Sequence, residues 1–105
     1  MGDQTIKRML TPFISISKSI RNLILSQKYL ASTKLPSIRI LAHQYNCNPS
    51  TICRALNELV LDGLVIRKQG RGYYVVDDVL LIQEKRRSEV EKLTMELFST
   101  LSALG

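Results

Sequence analysis

A chain of 105 residues, 45% hydrophobic and 23% charged, has room for one globular domain and a short appendage. No apolar run exceeds four residues, as at Val79 to Ile82, which excludes a helical membrane span of roughly 20 residues. The formal charge of +6 is uneven: Lys18 to Tyr74 holds nine basic against two acidic residues, while Val75 onward holds four against six.

That layout points to a polyanion-facing head and a separate, non-binding tail. Met1 to Leu10 has neither the apolar core nor the cleavage pattern of a secretory signal. Two cysteines, Cys47 and Cys53, make no disulfide framework and fit a reducing cytoplasm.

Residues 1–10 show no periodicity and are expected to form a flexible N-terminus. Thr11 as N-cap and Pro12 at the first helical position then open a helix. Its apolar face is Ile14, Ile16, Ile20, Leu23, Ile24 and Leu25, and it should end near Gln27. Lys28 to Lys34 has mixed character, and Pro36 biases Leu35 away from helix.

Ser37 caps a second helix, about Ile38 to Tyr45, with Ile38, Leu41 and Ala42 facing the core. Asn46, Cys47 and Asn48 form a turn, since asparagine tolerates left-handed backbone. Asn48 and Pro49 open a third helix to Leu61, with Ile52, Leu56, Leu59 and Val60 inward. Asp62-Gly63 stops it, with Gly63 at the left-handed position.

Leu64 to Lys68 and Tyr73 to Val76 are expected strands around the tip Gln69-Gly70-Arg71-Gly72, where Gly70 and Gly72 permit a close approach. Tyr73 and Tyr74 alternate across the strand, so one faces the core and the other solvent. Asp77-Asp78 caps a last helix, Val79 to Leu104. On it Val90, Leu93, Leu97, Leu101 and Leu104 share one stripe, expected to pair with a second copy.

Helix, turn, helix and a hairpin with a basic tip make a winged helix-turn-helix. The fold class is therefore mainly α with a small β-hairpin, plus a C-terminal dimerisation helix. The boundaries are residues 1–10, a DNA-binding domain at 11–77 and a dimerisation segment at 78–105.

A recognition helix presents short polar groups where it enters a major groove about 12 Å wide. Ser50 and Thr51 stand at that end of the third helix, beside backbone N–H groups that favour an anion. Arg54 lies one turn on, and Arg39 at the start of the second helix reaches a base or a phosphate. At the wing, Arg71 supplies the charge that a narrow minor groove attracts. Gln69 and Gly70 share its tip, and Arg67 and Lys68 add phosphate contacts.

His43, Cys47 and Cys53 lack the spacing of a metal site. No catalytic triad, phosphate-binding loop or dinucleotide-binding glycine pattern is present, so no cofactor and no enzymatic activity are expected. A second reading is a protein-interaction winged helix whose basic face is incidental; the basic wing tip argues against it.

LPSIRILA, then NPSTICRALNELVLDGLV, then RKQGRGYYV together resemble the GntR-type bacterial regulators, over about Pro12 to Leu104. The Asn-Pro-Ser-Thr opening, with Arg54-Ala55 and Asn57-Glu58-Leu59, is similar to the YtrA-like subgroup. The resemblance implies a winged-helix head, a helical dimerisation tail and repression at a palindromic operator, often of an ABC-transporter operon. It places DNA contacts on Arg39, Ser50, Thr51, Arg54, Gln69, Gly70 and Arg71.

The chain departs from the family pattern at several places. Ile38 replaces an acidic residue, and Gln27 and Ser32 stand where glycines are usual in the loop after the first helix. Pro49 replaces an arginine common in the family, although proline is usual in the subgroup. The subgroup pattern would continue beyond Gly105 into another short helix. A tail of roughly 27 residues is too small for a ligand-binding domain, which usually needs more than about 40. A small-molecule effector is therefore expected at the dimer interface or between head and tail, or to be absent.

Overall fold

A computed structural model describes the backbone of residues 2–104 and the side chains of residues 12–104. The elements run α1 (Gly2–Leu25), α2 (Ile38–Gln44), α3 (Pro49–Leu61), β1 (Val65–Lys68), β2 (Gly72–Val75) and α4 (Val79–Leu104). The bounds of α3 and α4 are those read from the sequence, and the winged helix-turn-helix is present.

α1 does not begin at Thr11. It starts at Gly2 and carries Pro12 within it. Gln4, Lys7, Arg8, Met9 and Leu10 are good helix formers, and the helix runs through Pro12, which removes one N–H and crowds the carbonyl four residues back. The capping role given to Thr11 concerns a side chain outside the described residues.

The core joins α1, α2 and α3 to the hairpin and the start of α4. Ile16, Ile20, Ile24 and Leu25 of α1 pack with Leu41 and Ala42 of α2 and with Ile52, Ala55, Leu56 and Leu59 of α3. Leu35, Leu64, Val65, Tyr73 and Val75 close it from the wing side, and Ile82 from α4. Burying each such aliphatic side chain contributes about 1.5–3 kcal/mol. Ile14, expected on the inner face, is exposed: it lies about 200° around the helix from Ile16, outside the arc that Ile16, Ile20 and Ile24 bury.

All three helices of the head end in one way. In α1, Gln27 N donates to Ile24 O and Lys28 N to Leu23 O; in α2, Asn46 N to His43 O and Cys47 N to Ala42 O. In α3, Gly63 N donates to Val60 O and Leu64 N to Leu59 O. These are paired Schellman bonds, which need left-handed backbone at the first residue past the cap. Gln27, Asn46 and Gly63 have φ of 64°, 52° and 81°. Asn46 and Gly63 suit the conformation, whereas Gln27 takes it at a steric cost.

β1 and β2 pair antiparallel, with Val65 opposite Val75 and Lys68 opposite Gly72. The hairpin has a third partner that the sequence did not indicate. Lys34 bridges Tyr74, Leu35 N donates to Tyr73 O at 2.8 Å, and Val75 N to Thr33 O at 2.9 Å. The segment after α1 therefore straps the outer edge of β2.

At the start of α4, Asp78 Oδ1 accepts from Leu81 N at 3.0 Å, while Asp77 instead accepts from Ser32 Oγ. Beyond Ile82 no α4 side chain among those described is buried. No helix among the described residues is long and apolar enough to cross a membrane.

Gln27→Gly should raise stability by about 0.5–1 kcal/mol, because it removes the left-handed strain while spending some unfolded-state entropy. Gln27→Ala should gain nothing. Denaturant unfolding of the two variants checks this.

Candidate nucleic-acid interface

The outward face of α3 follows from its inward one. Ile52, Ala55, Leu56 and Leu59 are buried, so Ser50, Arg54 and Asn57 lie on the opposite side and are exposed. Ser50 stands in the first turn behind Pro49, and Thr51, half-buried, donates its N–H to Asn48 O at 3.0 Å. Asn48 occupies the N-cap position but its side chain makes no capping hydrogen bond. Its amide is therefore available at the same end of the helix.

Arg54 is not a free surface arginine. Its guanidinium carbon lies 4.2 Å from the centroid of the Phe13 ring of α1. Stacking on an aromatic face restrains the planar group while its N–H edges stay outward.

Arg39 and Arg71, far apart in sequence, border the same concavity. With Lys34, Ile38 and Tyr73 they line one concavity of about 340 Å³, formed between the start of α2 and the tip end of β2. No acidic side chain lines it. Ser37, whose Oγ accepts from Ile40 N at 3.2 Å, fixes the start of α2 and with it the position of Arg39. Lys34 in this concavity and Asn57 on the exposed face of α3 were not selected by sequence reasoning. The basic residue immediately before the LPS motif and the exposed side of the third helix were the available signals.

At the wing tip, Arg71 N donates to Lys68 O at 2.9 Å, closing a turn with Gly70 at its third position and φ of 74°. That is the left-handed value a type II turn places there. Nothing lies within 4 Å of where a Cβ on Gly70 would stand, so the tip is open to a close-approaching partner. Gly72 has a different role from the one read at the tip. A Cβ there would stand 3.2 Å from Lys34 Cε, so its bareness serves the packing of the strap.

Arg67 and Lys68 leave the hairpin on opposite faces, because neighbouring strand residues alternate. Arg67 pairs with buried Tyr73, on the face toward the core. Lys68 sits on the outer face with its Nζ 4.3 Å from the Tyr74 ring centroid. As expected, one tyrosine is buried and the other is partly exposed. His43, Cys47 and Cys53 do not converge: no metal-ligating cluster of three occurs among the described residues.

A family model for bacterial regulatory proteins of the gntR family matches residues 15–75. The chain is 29% identical over 85 residues to the uncharacterized HTH-type transcriptional regulator YhcF of Bacillus subtilis, covering 81% of this chain and 67% of that protein. It is 43% identical over 47 residues to a probable fructoselysine utilization operon transcriptional repressor of Escherichia coli. That match spans 45% of this chain but only 19% of the repressor.

Among solved structures, a GntR family transcriptional regulator from Listeria monocytogenes superposes with a TM-score of 0.84 at 32% identity, over 89% of this chain and 82% of that one. The DNA-binding domain of AraR, in complex with operator ORX1, superposes with a TM-score of 0.62 at 30% identity, over 67% and 84%.

A double-mutant cycle of Phe13→Leu and Arg54→Ala, read by thermal or denaturant unfolding, should give a coupling of about 0.5–1 kcal/mol. Strict additivity would mean that the stacked contact contributes nothing.

Proposed function

Since the chain belongs to the GntR family of DNA-binding transcriptional regulators, we propose that it is a repressor that binds a two-fold symmetric operator as a homodimer in the cytoplasm. The observation that carries the reading is the concavity lined by Arg39 of α2, Arg71 of the wing and Lys34, with no acidic residue in its lining. Two elements that could each reach DNA alone are thereby held in one register.

Each α3 enters a major groove with Ser50, Thr51 and Arg54 leading, and Arg39 approaches from α2. Each wing enters the adjoining minor groove through Gln69, Gly70 and Arg71. Lys68, on the outer face, adds a phosphate contact. Arg67, on the other face of the hairpin, adds another phosphate contact. The Asn-Pro-Ser-Thr opening of α3 supports a place in the YtrA-like subgroup, and a transporter operon as target.

The tail supplies the second copy. Val90, Leu93, Leu97, Leu101 and Leu104 are 55–81% exposed, and Phe98 widens the stripe at 73%. A contiguous apolar face of this kind on a single helix calls for a partner. A symmetric pair of heads then matches a palindromic site. A groove of about 270 Å³ between the end of α1 and the start of α4, lined by Ile24, Tyr29, Leu30 and Ile82, is where we place the site of a small-molecule effector.

Arg71→Ala should weaken binding to all duplexes alike and flatten the salt dependence by about one unit. Arg39→Ala should cost roughly 1–3 kcal/mol more on the cognate site than on random DNA, as loss of a base contact does. Titration of both duplexes at two salt concentrations checks the pair. Equal losses for Arg39→Ala on the two DNAs would remove it as a base reader.

A further inference from the structure

Two kinds of contact attach α4 to the head. The first is apolar: Ile82, in the first turn, is the buried residue of α4 among those described. The second is ionic and lies one and two turns further on. Lys85 Nζ donates to Asp62 Oδ1 at 2.9 Å. Arg21 Nε lies 3.5 Å from Asp62 Oδ2, and Arg21 Nη1 lies 3.6 Å from Glu89 Oε2.

Asp62 is the residue on which α3 ends, and Arg21 belongs to α1. One cluster of four side chains thus ties α1 and the end of the recognition helix to two successive turns of α4. Arg21 Nε is buried with no hydrogen-bond partner among the described residues, so the Asp62 carboxylate is the nearest group that offsets its charge. Ion pairs this accessible add little to overall stability. Their effect here is on direction. The apolar contacts, buried Ile82 and half-buried Leu81 beside Gly63, are confined to the first turn, about which the helix can swing, and attachments at residues 85 and 89 stop the swing.

The lever is long. Leu104 lies 22 residues beyond Ile82, about 33 Å at the helical rise of about 1.5 Å per residue. A swing of about 10° therefore moves the far end by about 6 Å, whereas adjacent base pairs are about 3.4 Å apart.

We propose that the Arg21–Asp62–Lys85–Glu89 cluster fixes the angle between the recognition helix and α4, and so sets the spacing between the half-sites that the dimer recognises. The inference rests on the dimeric reading given above. Asp62 and Lys85 are positioning residues: neither lies on the DNA-facing side.

The test is binding of the full chain to inverted repeats of its selected site, with the centre lengthened or shortened by one and two base pairs, and to an isolated half-site. The wild type should favour one spacing by about tenfold or more, since half-site separation is a geometric property of the dimer. Asp62→Asn and Lys85→Gln should each reduce that preference to within about threefold while half-site affinity stays within about twofold. Lys85→Gln leaves the end of α3 intact, so it carries the test should Asp62→Asn fail to fold.

A folded variant of either kind that keeps the wild-type spacing preference overturns the proposal. Wild-type binding with one chain per duplex and no preferred spacing overturns the dimeric reading instead, and the inference with it. Stoichiometry tells the two failures apart.

Discussion

The outward face of α3, the proposed DNA-reading surface, is fixed by burial on the helix's other side. Ile52, Ala55 and Leu56 are fully buried and Leu59 nearly so, against Ile20 and Ile24 of α1 and Leu41 of α2. Turning α3 by one residue, about 100°, would drive Cys53 and Asn57 toward the core and lift an aliphatic side chain into water. Ser50 and Arg54 therefore point outward because nothing else is compatible with the core. Pro49 at one end and the left-handed Gly63 at the other fix its length, so the reading face keeps both its rotation and its extent.

The wing takes its position from the same core. Val65, Tyr73 and Val75 are buried on one face of the hairpin, and the strap at Lys34 and Leu35 holds its outer edge. That strap brings Lys34 and the start of α2 beside Arg71, which makes one basic surface out of two elements. Sheet edges left open invite pairing with other chains, and covering this one with a short segment also closes that route.

What could be read from the sequence was local. Asn-Pro and Asp-Gly mark the ends of α3 because each acts within two residues, and an Asp-Asp pair marks the start of α4 for the same reason. The departures at Gln27 and Ser32, noticed only as missing glycines, fall on left-handed backbone, at φ of 64° and 68°. The unread features are non-local. One bridge at Lys34 has no alternation to betray it, Arg54 on Phe13 joins two helices, and the Asp62 cluster joins three. The start of α1 escaped because Pro12 resembles a beginning when the residues before it show no period.

In the proposed reading the head supplies the DNA-binding surface, and pairing through α4 would make that surface an operator reader. The most direct measurement is selection of genomic fragments by the purified full chain, followed by titration of the best duplex at two salt concentrations with the stoichiometry determined. An inverted repeat bound by two chains, with affinity falling steeply as salt rises, is the predicted result. Absence of binding at low salt, or binding by a single chain to a site without symmetry, would contradict the account.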